Sequence, residues 1–416
     1  MRIRTIGVFA VLSAAVMAAS PTLGVTDEPQ VENVSQQVLD EARIELEKRV
    51  ASKSIAGGAH MVVRNGKVIY FHVAGVRDIE DQTPLEADTI MRIYSMTKPI
   101  TSVAAMALWE QEKFKLDDPV SKYIPAFEST SVLMKRGDSH QIVPSERAIT
   151  VRDLFRHTTG YGYGSETPEL LAYYQKEGML YDDKHGLFPP EMTIAEAADS
   201  LARIPALHQP GASYTYGFNT DLLGRLIEVW SGRPLDEYMQ QTVLAPLEMV
   251  DTGFLVPVGK RDRFASCHAW EDDKQIVADK AGASPFREGF EFLSGGGGLV
   301  STMRDYANFC QMLVDGGDYK GKRILEASTL ELMFTDQLSG AGGDFRFGLG
   351  FAIKDIELGV GDAKRDAQAY YWGGYASTAF QVVPKANMVQ IFMQQSIPSN
   401  HDVANALFSI VYSGTH

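Results

Sequence analysis

Cysteine is scarce in this chain of 416 residues, which contains only Cys267 and Cys310. A framework of several disulfides is therefore excluded, although an exported protein could form one bridge between the two. Cys310 lies in the stretch Tyr-Ala-Asn-Phe-Cys-Gln-Met-Leu, whose apolar spacing is typical of a buried helical face. We expect two separate thiols in the core, neither of them a nucleophile or a metal ligand.

Long apolar segments are also scarce. The one at the start of the chain, residues 6–19, follows Arg2 and Arg4 and is too short to span a bilayer comfortably. This pattern predicts a signal peptide and leader in residues 1–24, and a secreted or periplasmic protein with no membrane span after signal removal. An uncleaved N-terminal tether stays open as an alternative, because no small-x-small triplet ends the segment.

Basic residues are in the minority, with 39 Lys and Arg against 53 Asp and Glu and a formal net charge of −14. Such a surface repels phosphate backbones and anionic lipids. We therefore expect a soluble protein with a small-molecule or polymer substrate and no nucleic-acid partner. Nothing in the sequence indicates an oligomeric state.

Several common catalytic motifs are missing. The chain has no Gly-x-Ser-x-Gly, which disfavours an α/β-hydrolase. None of its nine histidines lies in His-Glu-x-x-His or another close ligand pair, so no metal is expected. The glycines at 295–298 lack the context of a phosphate-binding loop, and no cofactor is expected.

Both ends of the chain carry sheet-forming patterns. Apolar residues at every fourth position from Val34 to Val50 predict an amphipathic helix, and Asn65-Gly66 between two β-rich runs predicts a hairpin. Later in the chain, residues 345–354, 369–372, 378–383 and 389–394 are predicted strands, and residues 403–412 a closing helix.

The middle of the chain has mainly helical patterns, broken by polar and glycine-proline loops. The sequence therefore predicts an α/β fold of the α+β kind, in which an antiparallel sheet from both chain ends is flanked by helices and a helical lobe is inserted. We expect one domain over residues 34–412, with a sheet lobe at about 34–94 and 295–412 and a helical lobe at about 95–294. A small-molecule site would lie in the cleft between such lobes.

The pair Ser95 and Lys98 stands where β-rich residues give way to a helical pattern. A serine hydroxyl is a poor nucleophile until a base takes its proton, and a lysine three residues on projects from the same helix face. Pro99, which is tolerated in a first helical turn, supports a helix start here. On spacing alone, Ser95 could equally be a helix cap beside an unrelated lysine.

Three further motifs accompany this pair: Leu154-Phe-Arg-His-Thr-Thr-Gly160, the run from Tyr214 to Gly224, and Trp372-Gly-Gly374. Together the four motifs resemble those of the serine β-lactamase and penicillin-binding-protein superfamily, and most closely its family VIII carboxylesterases. The resemblance extends from Leu39 to Tyr412. It implies a β-lactamase-like fold in which Ser95 is the acylated nucleophile and Lys98 its partner base.

The resemblance also assigns a catalytic tyrosine and an oxyanion hole. A tyrosine eight residues before Gly224 would be the general acid or base, and Tyr216 has that spacing. Tyr214 is a rival, and a loop aromatic that only packs is the plainer alternative. By analogy, the backbone N–H groups of Ser95 and Tyr375 would bind the oxyanion.

The motif Trp372-Gly373-Gly374 is similar to the segment that replaces the Lys-Thr-Gly of the lactamases on the strand lining the cleft. Its glycines would let the strand approach a bound acyl group closely, and a plain β-bend is the alternative. Trp372, Phe218 and Tyr375 are the expected lining of an apolar acyl pocket.

Two departures from the lactamase pattern favour esters as substrates. Phe218 stands where a lactamase has the asparagine that binds a substrate amide, and Trp372 stands where it has the lysine that attracts a carboxylate. Asn219, one place along, is a partial substitute for the missing amide. The run from Leu293 to Thr302 also resembles a family segment, and we expect it to have a structural role.

We therefore predict a secreted serine hydrolase that cleaves carboxylic esters through an acyl-enzyme on Ser95. Three alternatives remain open: a D-alanyl-D-alanine carboxypeptidase or β-lactamase, an acyltransferase, and a catalytically silent binding protein of the cell envelope. For each of the catalytic alternatives, the expected partner is a small-molecule ester or acyl substrate.

Overall fold

The computed structural model describes residues 34–137, 139–179, 192–289 and 291–415. The predicted signal and leader, residues 1–24, lie outside this range. Among the described residues, no helix has the length and apolarity that crossing a membrane requires.

The structure alternates short strands with helices along the chain. Its helices are α1 (Gln36–Ala51), α2 (Thr97–Glu110), α3 (Val151–Phe155), α4 (Pro168–Lys176), α5 (Ile194–Arg203), α6 (Asn219–Ser231), α7 (Leu235–Met239), α8 (Met303–Val314), α9 (Ala327–Met333) and α10 (Asp402–Ser413). Its strands are β1 (Gly57–Arg64), β2 (Lys67–Asp78), β3 (Thr83–Pro84), β4 (Met91–Arg92), β5 (Ser131–Arg136), β6 (Ser139–Pro144), β7 (Cys267–Glu271), β8 (Lys274–Asp279), β9 (Val300–Ser301), β10 (Asp318–Tyr319), β11 (Lys322–Arg323), β12 (Arg346–Phe347), β13 (Ala352–Leu358), β14 (Arg365–Gly374), β15 (Thr378–Val383) and β16 (Met388–Gln394).

The main sheet has eight strands in the order β12-β13-β14-β15-β16-β1-β2-β3. All its neighbours are antiparallel, and β1 from the start of the chain pairs with β16 from its end. The prediction of an antiparallel sheet assembled from both chain ends is confirmed.

Helices cover both faces of this sheet. Val382 and Val383 are neighbours on β15 and point to opposite faces, as alternation along a strand requires. Val383 joins a buried cluster with Leu46 of α1 and Leu407 of α10. Val382 joins the larger core that includes α8 and continues into the helices between α2 and residue 294.

Local sequence signals account for several elements. Asn65 and Gly66 have φ of +50° and +74°, as a tight hairpin turn between β1 and β2 requires. Thr150 caps α3 reciprocally with Asp153. Gly232 ends α6 in the left-handed conformation.

One predicted strand is divided in two. Residues 345–354 were expected to be continuous, but the structure has β12 and β13 with a turn between them. Gly350 in that turn has φ +95°, and the backbone of Gly348 lies so close to Met333 that an added Cβ would overlap the carbonyl oxygen of that residue. The glycines therefore bend the chain into a hairpin against α9.

Both cysteines are buried free thiols, which confirms the prediction of two separate core residues. Burial raises the pKa of the Cys267 thiol to about 12. A thiol with so high a pKa is a poor nucleophile at neutral pH.

Candidate active site

Ser95 lies in a short 3₁₀ turn, Tyr94–Met96, between β4 and α2. Neither this turn nor α2 has a side-chain cap, so Ser95 is not the helix cap that its spacing also allowed. Tyr94 has φ +40°, a conformation that costs free energy for an aromatic residue. Its ring is held edge-on against Tyr375 at 5.8 Å and Phe286 at 6.0 Å between centroids. The serine is therefore presented by a strained turn that tertiary packing maintains.

Lys98 is 1% exposed and has three polar neighbours. Its Nζ is 3.3 Å from Ser95 Oγ, 3.0 Å from Tyr163 Oη and 2.7 Å from the carbonyl oxygen of Gly296. A lysine nitrogen has three positions besides its bond to Cε, which is also the number of these neighbours. The Gly296 carbonyl can only accept a proton, whereas either hydroxyl can donate one. A neutral Lys98 can therefore turn its lone pair toward Ser95 while it still donates to Gly296.

Tyr216, and not Tyr214, lies beside this pair. Lys98 Nζ is 4.6 Å from the centroid of the Tyr216 ring, and the indole N–H of Trp372 donates to Tyr216 Oη at 3.4 Å. Tyr214 packs instead among Phe345, Phe347 and His157, and its hydroxyl has no hydrogen-bond partner among the described residues.

Tyr163 is a second phenol at the site, and the sequence interpretation missed it. Besides its bond to Lys98, its ring meets Tyr216 edge-on at 5.6 Å. Burial raises the pKa of Tyr163 well above its ordinary value, so the phenol is neutral. Its only signal in the sequence was its place three residues after the His-Thr-Thr-Gly motif.

His157 of that motif is also in the site. Its ring packs on Tyr216 at 5.1 Å and on Phe347 at 5.6 Å. Burial and then the charge of Lys98 hold its pKa well below the ordinary value. His157 is therefore an uncharged part of the aromatic wall.

The glycines of β14 make close approaches to protein atoms. A Cβ on Gly374 would overlap the carbonyl oxygen of Ile93, and one on Gly373 would lie 2.7 Å from the ring of His401. The expectation was an approach to a bound acyl group. The structure shows that the glycines first let β14 reach the segment carrying Ser95 on one face and the start of α10 on the other.

Trp372, next to these glycines, faces the catalytic cluster. Its ring centroid is 5.3 Å from that of Tyr216 and 5.3 Å from that of Phe347. Because Gly374 abuts Ile93, the chain at Tyr375 runs alongside the turn that carries Ser95. This placement is compatible with an oxyanion hole of the Ser95 and Tyr375 N–H groups, which stays a prediction.

Two predicted substrate-binding residues are in the framework instead. Phe218 is 2% exposed and packs behind Tyr163, with 5.0 Å between ring centroids. Asn219 is fully buried, and its amide donates to the carbonyls of Tyr161 and Thr215 and accepts from Thr159. Since the protein already uses these groups, the prediction of Asn219 as a substitute substrate handle is wrong.

The segment after Ser294 was expected to be structural, and it also contributes to the site. Its backbone runs along the start of α2: Leu299 O accepts from Ile93 N at 3.1 Å, and Gly295 O accepts from Thr101 Oγ1 at 2.7 Å. Between these contacts, Gly296 presents its carbonyl to Lys98.

No group of three or more His, Cys, Asp or Glu side chains is placed to hold a metal ion in the parts of the chain that the structure describes.

Known proteins are similar to this chain in sequence and in fold. The Beta-lactamase family profile matches residues 43–411. Protein Rv1367c of Mycobacterium tuberculosis is 31% identical over 360 residues, covering 83% of this chain and 86% of that protein. Monacolin J acid methylbutanoyltransferase of Aspergillus terreus is 28% identical over 397 residues, covering 86% and 91%.

An esterase and a solved hydrolase are also similar. Esterase EstB of Burkholderia gladioli is 29% identical over 222 residues, covering 53% of this chain and 52% of that protein. The structure of "EstCE1, a hydrolase with promiscuous acyltransferase activity", superposes with a TM-score of 0.71 at 24% identity, covering 91% of this chain and 99% of that one. The chain thus belongs to the Beta-lactamase family, and the proteins similar to it in sequence include an acyltransferase and an esterase.

Proposed function

We propose that the protein is a secreted serine hydrolase that cleaves carboxylic esters, with Ser95 as nucleophile and Lys98 and Tyr216 as its proton-transfer groups. The observation that carries this proposal is the placement of Lys98 Nζ 3.3 Å from Ser95 Oγ and 4.6 Å from the centre of the Tyr216 ring. A hydroxyl, a buried amine and a phenol in contact are the parts of an activated nucleophile.

In the proposed first step, Ser95 Oγ attacks the ester carbonyl and its proton passes to the Lys98 and Tyr216 pair. The oxyanion of the tetrahedral intermediate is bound by the N–H groups of Ser95 and Tyr375. The carbon–oxygen bond to the alcohol then breaks, and the same proton is returned to the departing alcohol. Water next attacks the acyl-Ser95 ester, which releases the carboxylic acid and restores the serine hydroxyl.

Esters are favoured over lactams and peptides by what stands near the nucleophile. Trp372 occupies the strand position where lactamases carry a lysine, and its ring is part of an aromatic wall with Tyr216 and Phe347. The amide of Asn219 is taken up by protein partners. An uncharged acyl group therefore suits this site better than one bearing a carboxylate or an amide.

Acyl transfer to an alcohol is the second candidate. It is favoured by the similarity to Monacolin J acid methylbutanoyltransferase, which covers 86% of this chain, and by the structural likeness to EstCE1, a hydrolase with promiscuous acyltransferase activity. The acyl-enzyme on Ser95 would be common to both reactions, and only its second acceptor would differ.

The proposal is tested by the hydrolysis of a short p-nitrophenyl ester beside a chromogenic cephalosporin. Ser95→Ala is expected to abolish ester turnover and labelling by a fluorophosphonate, while Ser102→Ala, at a buried serine on α2, retains both. Rapid cephalosporin turnover without ester turnover would instead indicate a lactamase. A native protein without Ser95-dependent labelling would be a silent binding protein.

Two further measurements separate the finer points. Added acceptor alcohols divert the acyl group from water if the protein is an acyltransferase, and the ratio of new ester to acid measures this. Export is tested by mass spectrometry of the N-terminus of protein recovered outside the cytoplasm. A start beyond residue 20 is expected if the signal is removed.

A further inference from the structure

Four consecutive glycines, Gly295–Gly298, follow Ser294 where α2 and α6 approach each other. A Cβ on Gly295 would lie 2.7 Å from the carbonyl oxygen of Thr220 on α6 and 3.2 Å from the methyl carbon of Thr101 on α2. There is no room for a side chain between the two helices. The chain therefore passes through as bare backbone, and its carbonyls reach α2.

Asp221 of α6 holds this backbone segment in place through hydrogen bonds to its carboxyl group. The carboxyl group is 3% exposed, and its Oδ1 accepts from the Ser294 hydroxyl at 2.5 Å and from the Gly296 N–H at 3.0 Å. A Cβ on Gly296 would lie 2.5 Å from Oδ2, so the carboxyl group packs directly on that glycine. The carbonyl of the same Gly296 accepts from Lys98 at 2.7 Å. Asp221 thus accepts from the N–H group of Gly296, and Lys98 donates to the carbonyl of the same residue.

The ester chemistry proposed above assigns no step to Asp221. A carboxyl group is nevertheless expensive to bury, and an apolar side chain here would leave Ser294 and Gly296 with unpaired donors. Burial raises the pKa of Asp221, and the positive charge of Lys98 opposes that rise. The carboxyl group is therefore coupled to the lysine both by its charge and through a shared backbone unit.

We propose that Asp221 is a positioning residue for Lys98, because it holds Ser294 and Gly296 so that the Gly296 carbonyl engages Nζ. This inference rests on the proposed roles of Ser95 and Lys98. A lysine ammonium is otherwise free to rotate its three donors. With one of them committed to an acceptor that cannot donate, the remaining two positions of Nζ are directed to the hydroxyls of Ser95 and Tyr163.

The groups around Lys98 set the expected direction of the effect. They are the hydroxyls of Ser95 and Tyr163, the Tyr216 ring, the uncharged His157, the Gly296 carbonyl and the Asp221 carboxyl group. Without the Asp221 carboxyl group, the Gly296 carbonyl is no longer held against Nζ, and a nearby acidic group is removed. Both changes disfavour the ammonium form of Lys98.

The test is a pH titration of the full chain monitored by NMR, with lysine labelled with ¹³C at Cε. The Lys98 signal is identified as the one that is missing in Lys98→Arg. Asp221→Ala is expected to move the NMR transition of Lys98 to lower pH than in the native protein. It is also expected to reduce kcat for the p-nitrophenyl ester about 10²-fold. KM should stay unchanged, since Asp221 does not contact the substrate. Asp221→Asn keeps an acceptor oxygen and should lie between the native protein and Asp221→Ala in both measurements.

Asp305 on α8 offers a matched control. It is 2% exposed and likewise accepts from a threonine hydroxyl, that of Thr252 at 2.9 Å, and from a backbone N–H, that of Asp251 at 2.6 Å. Asp305→Asn should lose stability comparably to Asp221→Asn but leave the Lys98 titration and kcat of the folded protein unchanged.

Two results would overturn the inference: a native Lys98 midpoint in folded Asp221→Asn and Asp221→Ala, or an equal shift in Asp305→Asn. If Asp221→Ala does not fold, the Asp221→Asn titration decides alone. The NMR result does not depend on turnover. A native protein that hydrolyses no ester would refute the proposed function, and the titration would still decide the role of Asp221.

Discussion

Replacing each of two nearby tyrosines by phenylalanine separates the proposed catalytic phenol from a packing residue. Tyr216 and Tyr214 are two positions apart, but only Tyr216 lies against Lys98. General acid–base catalysis contributes roughly 10²–10⁴ to the rate, or about 3–5 kcal/mol of barrier. Tyr216→Phe should therefore lower kcat/KM for a p-nitrophenyl ester by about that factor. The loss of stability should stay within about 0.5–1.5 kcal/mol, because the Tyr216 hydroxyl bonds Trp372 only at a long 3.4 Å and also bonds Tyr163.

Tyr214→Phe should leave the activity unchanged and raise the stability. Its hydroxyl is buried and without a hydrogen-bond partner among the described residues, so its removal relieves a desolvation cost of about 1–3 kcal/mol. The ring contacts with Phe345 and Phe347 are retained. We expect unchanged kcat/KM and a higher urea midpoint.

Kinetics and urea unfolding of the two variants form the assay, with Tyr163→Phe as a third arm. An equal loss of activity in Tyr214→Phe and Tyr216→Phe would refute the assignment. So would a loss in Tyr216→Phe of less than about tenfold. A large loss of activity in Tyr163→Phe alone would assign proton transfer to Tyr163, whose hydroxyl is 3.0 Å from Lys98 Nζ.

Three other outcomes follow from buried groups. The pKa of buried His60 is lowered to about 3 by desolvation, from 6.5, so the unfolded chain binds a proton that the folded protein does not. Stability should fall by about 2.7 kcal/mol between neutral pH and roughly pH 4.5, measured by urea unfolding, and His60→Gln should lack this part of the loss. Gly374→Ala should cost about 1–3 kcal/mol and most of the esterase activity through its clash with Ile93, whereas Gly259→Ala, which has open space, should change neither. Asp153→Asn should lower the free energy of unfolding by about 3 kcal/mol, because the fully buried carboxylate of Asp153 loses its charge-assisted bonds from Arg147 and Arg156.

Each of these outcomes has a result that contradicts it. An identical acid loss in His60→Gln and the native protein would show that other groups carry the effect. An active, stable Gly374→Ala protein would show that β14 can move away from the turn carrying Ser95. A melting temperature of Asp153→Asn equal to the native one would show that the amide oxygen serves as well as the carboxylate.

Local chemistry by itself determined much of the fold. Asn65-Gly66 supplies the two positive φ angles of a hairpin, and Thr150 with Asp153 forms a capping box within four residues. Alternating β-rich runs at both ends predicted the antiparallel sheet. These signals succeed because each depends on neighbours in sequence. The division of β12 from β13 escaped them because it depends on Gly348 packing against Met333 of α9.

The sequence by itself also determined the pair Ser95 and Lys98, since a separation of three residues across the 3₁₀ turn and the first turn of α2 sets their proximity. Only the tertiary structure decided what surrounds that pair. Tyr163 and Gly296 bind Lys98 from 65 and 198 residues away, and no periodicity encodes such contacts. The same long-range packing turned Asn219 inward, away from the substrate role expected of it. Spacing along a chain thus specifies a nucleophile and its nearest partner, while the remaining contacts of a buried lysine are set by the elements that close around it.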